Sequence, residues 1–134
     1  MTQFNGRTQI CYGENAINNL EKLTGRHAFI VTDPFMVKMG FTDRVISCLE
    51  RANISQSVFD KVEPDPSLQT VQKGTVKLLS DGADLVIALG GGSAIDAAKA
   101  MMYFAYKADP SKAKPQLVVI PTTSGTGSEV TAVT

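Results

Sequence analysis

The chain is predicted to fold as an open, mostly parallel α/β sheet with flanking helices, and three observations carry that prediction. Short apolar runs alternate with helically spaced apolar positions along most of its length. Two of the runs, DLVIALG (84–90) and QLVVIP (116–121), are almost wholly apolar, as strands covered on both sheet faces must be. Between them, Gly90-Gly91-Gly92-Ser93 turns straight into an alanine-rich stretch suited to a slim helix.

Taken in order, TQICYG (8–13) reads as an edge strand, and Ile17, Leu20 and Leu23 lie on a short helix closed by Gly25. AFIVTD (28–33) is a β-rich run ending on an acid. Phe41, Val45, Leu49 and Ala52 then recur at helical spacing, with Asn53 as the stop. ISQSVFD (54–60) reads as a second strand, alternating less cleanly. Asp65-Pro66 has the form of an N-cap followed by proline at the first helical position, and Leu68, Val71, Thr75 and Leu79 would form that helix's inner face. A last helix is expected from about Ser93 to about Tyr106.

Composition bounds the function. Apolar residues make up 43% of the 134, enough for one domain with a packed core. Thirteen basic residues balance thirteen acidic ones, so no field draws nucleic acid or an anionic membrane. No apolar run is long enough to span a bilayer, and residues 1–7 lack the layout of a secretory signal, which points to a cytoplasmic protein. Cys11 and Cys48 are far apart with no metal-ligand spacing and read as reduced structural thiols.

In an open α/β sheet, ligands bind beyond the carboxyl ends of the strands. Gly90-Gly91-Gly92-Ser93 lies at such an end, where bare backbone lets an anion approach a helix N-terminus. The dipole alone contributes ~0.3–1 kcal/mol at an exposed site. A tight turn without a ligand is the competing reading, and the spacing is not G-x-G-x-x-G. Ser93 and Asp96 stand in a Ser-x-x-Asp arrangement that could form a capping box. The next strand leaves through PTTSGTGSEVT (121–131), rich in hydroxyls and glycine. Asp33 closes its own strand at the same edge. It either accepts both hydroxyls of an adenosine ribose, repelling the extra phosphate of NADP, or caps the segment beginning at Pro34. Together the three strand ends suggest a dinucleotide site.

GGGSAIDAAKA followed by IPTTSGTGSEVT resembles the iron-dependent (group III) alcohol dehydrogenases, and VTDPFMVKMG and VEPDPSLQTV look like that family's corresponding segments. Within the family, the 1-propanol dehydrogenases associated with propanediol-using microcompartments look most similar. The resemblance implies an N-terminal, Rossmann-like domain that carries NAD, joined to a helical domain that carries iron. By motif position, Gly91, Gly92 and Ser93 would hold the pyrophosphate. Thr122, Thr123 and Thr126 would line the cofactor path, and Thr131 would stand near the nicotinamide. Asp33 matches the ribose-binding acid and so favours NAD over NADP, while Asp65 falls where the family often has a further cofactor contact. Lys99 matches the lysine of the glycine motif, and from spacing could pair with Asp96.

The family's metal ligands, an aspartate and three histidines, lie downstream of the GTGSE segment, whereas the only histidine here is His27. A lone histidine before a core strand reads as a surface residue, and one histidine cannot make such a site. Residues 1–134 are therefore expected to be a dinucleotide-binding domain incomplete at its C-terminus, truncated before the helical metal-binding domain and inactive alone. Iron would belong to the parent enzyme only. That enzyme would interconvert small primary alcohols and aldehydes with NAD(H), as a homo-oligomer, in the cytoplasm or within a bacterial microcompartment. An exposed edge left by truncation would favour dimerisation or swapping. The alternatives are a stand-alone dinucleotide-binding or interaction module without catalysis, and a glycerol-dehydrogenase-like enzyme; the GTGSE motif argues against the latter.

Overall fold

The apolar runs form the sheet because side chains on both of its faces must be covered. A computed structural model describes residues 8–10 and 18–122. Its strands are β1 (Thr8–Ile10), β2 (His27–Val31), β3 (Ser55–Phe59), β4 (Leu85–Gly90) and β5 (Gln116–Pro121). They pair in the order β1-β5-β4-β2-β3, every pair parallel. The registers place Ala28 beside Leu85 and Leu85 beside Gln116. The expected open parallel α/β architecture is the one observed.

The period of two along β4 divides the core. Leu85, Ile87 and Leu89 face the layer holding Leu20, Val45 and Leu49, while Val86 and Ala88 face the layer holding Val71, Leu78 and Met101. The first layer is built by a 3-10 helix (Asn18–Lys22), α1 (Pro34–Lys38) and α2 (Phe41–Arg51); the second by α3 (Leu68–Asp81) and α4 (Gly92–Ala108). Asn53, the expected stop of α2, sits at φ 61° just past its C-cap Ala52.

Small residues let the second layer pack closely. Ala94, Ile95, Ala97, Ala98 and Met101 form the buried stripe of α4, three of them alanines, and a Cβ at Gly74 of α3 would lie 2.3 Å from Met101 Cε. With no side chain at Gly74, the Met101 thioether fills the space between the two helices. This changes the expected inner face of α3. Val71 and Thr75 are buried, but Leu78 replaces Leu79 as the inward leucine, and Leu68 is 61% exposed.

Two expected caps are also corrected. Ser67, not Asp65, caps α3, its side chain accepting from Thr70 N at 3.1 Å; Asp65 sits two residues earlier at φ 51°. Gly25 does not close the 3-10 helix, which ends at Lys22. Its bare backbone lies against Leu85, where a Cβ would come within 2.9 Å of Cδ1. Among the described residues no helix is long and apolar enough to cross a membrane.

Candidate functional site

Strand order places the site. From β2 the chain steps outward to β3, then returns over the sheet to β4 on β2's other side. The connection after β2 packs on one face and α4 after β4 on the other, so a crevice opens between the carboxyl ends of these two strands. Asp33 follows β2, Gly90 ends β4, and Thr122 follows β5, so the sheet gathers three regions distant in sequence at one edge.

Asp33 caps α1 with one oxygen and leaves the other turned to the glycine turn. Its Oδ1 accepts from Met36 N at 2.8 Å and caps α1, with Pro34 opening the helix. Its Oδ2 is turned to Gly90: a Cβ on that glycine would sit 3.5 Å from Oδ2 and 3.3 Å from the Ala94 Cβ. Gly90 has φ 138°, a conformation closed to most L-residues, so the backbone at this position favours glycine. Hydrogen bonds tie the edge together sideways. Thr32 Oγ1 donates to Leu89 O at 2.8 Å, Thr122 N donates to Gly90 O at 2.9 Å, and Thr122 Oγ1 reaches Met36 Sδ at 3.4 Å.

The turn beyond Gly90 is open. Gly91 is the N-cap of α4 and supplies no side chain, and Ile95 N donates to Gly91 O at 3.2 Å to begin the helical ladder. The amides of Gly92, Ser93 and Ala94 precede that bond and have no intrahelical acceptor. Among the described residues a Cβ on Gly92 would meet nothing within 4 Å. The expected Ser93–Asp96 capping box does not form, because it needs its serine at the N-cap and Ser93 is already the second helical residue. Asp96 is exposed, so its charge is spent in solvent rather than at the turn.

Asp33, Gly91, Gly92, Ser93 and Thr122 thus share one edge. Asp65 is exposed on the loop after β3, and no hydrogen bond among the described residues joins it to them. That loop is held by Val62 N donating to Thr32 O at 3.3 Å and by Glu63 accepting from Thr70 Oγ1 at 2.9 Å. The Thr70 hydroxyl, aided by backbone N–H groups, holds the Glu63 carboxyl below its ordinary pKa. Thr123, Thr126 and Thr131 lie outside the described residues. Sequence reasoning missed Thr32 and Met36, which join the strand ends. The only signal for Thr32 was a hydroxyl interrupting an apolar run just before Asp33.

Iron does not fit the described residues. No group of three or more His, Cys, Asp or Glu side chains among them could hold a metal ion. His27 stands at the opposite end of the sheet, its Nδ1 2.7 Å from Ser55 Oγ and its Nε2 3.2 Å from Ser57 Oγ. It is half-buried and engaged in a structural contact, rather than a simple surface residue.

Comparison with known proteins agrees with this architecture. The family model for iron-containing alcohol dehydrogenases matches residues 7–134. The 1-propanol dehydrogenase PduQ of Citrobacter freundii is 37% identical over 132 residues, covering 98% of this chain and 35% of that protein. The NADPH-dependent butanol dehydrogenase of Clostridium saccharobutylicum is 37% identical over 146 residues, covering 98% of this chain and 38% of that one. The solved iron-containing alcohol dehydrogenase of Thermococcus thioreducens superposes with a TM-score of 0.77 at 25% identity, over 89% of this chain and 36% of that one. The chain therefore spans little more than a third of the length of each of these relatives. It belongs to the iron-containing alcohol dehydrogenase family.

Proposed function

We propose that this chain supplies the NAD-binding domain of an iron-dependent alcohol dehydrogenase that interconverts small primary alcohols and aldehydes. One observation carries the reading: Asp33 and the uncapped Gly90–Ser93 turn face each other at the point where the strand order reverses. The unpaired amides at the start of α4 would take the pyrophosphate, with Gly91 and Gly92 allowing its close approach. Asp33 Oδ2 would accept from the adenosine ribose, while Oδ1 keeps its cap. Thr122, with Thr123 and Thr126, would line the path onward, Thr131 would stand by the nicotinamide, and Asp65 would add an outer contact.

When bound, the nicotinamide supplies a hydride acceptor for alcohol oxidation. The part of these residues is to hold and orient it. Among the described residues no cluster could hold the iron, so these residues act on the nucleotide alone. Family membership does not decide between NAD and NADP, since the similar butanol dehydrogenase is named as NADPH-dependent. The preference rests on Asp33, whose carboxylate would repel a 2′-phosphate.

Calorimetric titration with NAD and with ADP-ribose tests the reading. Both are expected to bind, and Asp33→Ala or Gly91→Val is expected to weaken both. Propanol oxidation by the 134 residues with added ferrous iron should stay at background; turnover would overturn the assignment of the metal to other residues.

A further inference from the structure

We infer that Thr32 is a positioning residue for nucleotide selectivity: its buried hydroxyl sets the spacing between the Asp33 carboxylate and the glycine turn. This rests on the reading of Asp33 as the ribose-facing acid.

The β2–β4 ladder runs through Val31 beside Ala88 and stops there. One residue further on, Thr32 is fully buried, and its Oγ1 donates to Leu89 O at 2.8 Å. This single side-chain bond carries the strand pairing one step past its last backbone register. Leu89 O and Gly90 N belong to one planar peptide unit. Holding that oxygen therefore orients the plane from which Gly90 enters its unusual φ of 138°. The far side of the turn is fixed by Thr122 N donating to Gly90 O at 2.9 Å.

Thr32 is pinned from its other side as well. Its N donates to Phe59 O at 2.9 Å and its O accepts from Val62 N at 3.3 Å, so β3 and the following loop brace it. Asp33 is the next residue, and its Oδ2 faces Gly90. Without the hydroxyl, nothing from Thr32 would tie β4 to β2 at this level. The Asp33-to-glycine distance would widen, and the carboxylate would discriminate less sharply between a ribose hydroxyl and a phosphate. Merely structural damage would weaken both nucleotides alike; a change in spacing alters their ratio.

The test compares NAD and NADP affinities by titration of the full chain carrying Thr32→Val, Thr32→Ser or Asp33→Asn. Thr32→Val, which keeps the shape and removes the donor, is expected to lower the NAD-over-NADP ratio about threefold to tenfold. Thr32→Ser should retain the ratio, and Asp33→Asn should lower it at least as far as Thr32→Val. If Thr32→Val does not fold, Thr32→Cys, which keeps the size with a weaker donor, carries the same expectation. An unchanged ratio in Thr32→Val or its substitute, with a lowered one in Asp33→Asn, overturns the inference alone. An unchanged ratio in Asp33→Asn, or no binding of either nucleotide to the unsubstituted chain, overturns the underlying reading of Asp33 as well.

Discussion

At the amino end of the sheet, Asp84 accepts from Arg26 N at 2.9 and 3.0 Å and from His27 N at 3.0 Å, while its own backbone pairs with His27 and Gln116. The His27 ring spans Ser55 and Ser57, and Ser57 donates in turn to Asp81. At the carboxyl end, α4 begins on a glycine with no side-chain cap, and among the described residues nothing lies within 4 Å of a Cβ on Gly92. One end satisfies its own polar groups; the other holds donors ready. Helices α1 and α3 are capped by Asp33 and Ser67, whereas α2 and α4 both begin on a glycine, Gly40 and Gly91, without a side-chain cap. Of these two, only Gly91 follows a strand end directly. Uncapped amides at a strand end are what the proposed pyrophosphate contact at α4 would use.

Four substitutions sharpen that contrast, the largest effect first. Gly90→Val should break the open end, because a β-branched residue is strained at φ 138° and its side chain would crowd Ala94 and Asp33. Denaturant unfolding should show a loss of at least about 1–3 kcal/mol, and NAD binding should vanish. Gly92→Ala separates binding from folding: stability should stay within about 0.5 kcal/mol, while NAD affinity falls on the order of tenfold. Equal affinity would mean that the open space takes no cofactor. Ser67→Ala removes a cap that serves only the helix, costing about 1 kcal/mol of unfolding free energy with unchanged NAD affinity.

The smallest effect belongs to the closed end. Burial pushes the Asp84 carboxyl up, but the N–H groups of His27 and Arg26, with the Arg26 charge, more than offset this and hold its pKa below the ordinary value. The backbone donors matter most, since the Arg26 ion pair is 3.8 Å long and its arginine 84% exposed. A depressed folded pKa stabilises above the unfolded value, and that contribution disappears as pH falls through the folded one. Asp84→Asn should therefore flatten the melting-temperature profile below about pH 4. An acid slope identical to that of the unsubstituted chain would show that these bonds do not favour the ionised form.

The strands were readable because burial on both faces leaves almost no polar residue in DLVIALG or QLVVIP. The glycine turn was readable as a turn because three glycines end an apolar run immediately before an alanine-rich helix. The errors fell on helix ends and on small residues. Asp65-Pro66 and Ser67 are competing caps two positions apart, and the choice between them depends on how the loop after β3 is held. The buried stripe of α3 shifted because Gly74 belongs to the core, and a count of large apolar residues passes over it. The Ser93–Asp96 box failed because Gly91, at the end of β4, already occupied the cap.

Periodicity and turn chemistry are local, so the chain alone was sufficient for parallel strands, flanking helices and a bare-backbone turn before α4. Strand order is not local. That β4 lies beside β2 rather than beyond β3 follows from which faces pack together over the sheet. Only that order sets Asp33 Oδ2 against Gly90 and Thr32 under Leu89, across gaps of 57 residues. The residues of the site are written along the sequence, but their meeting is a property of the packed sheet.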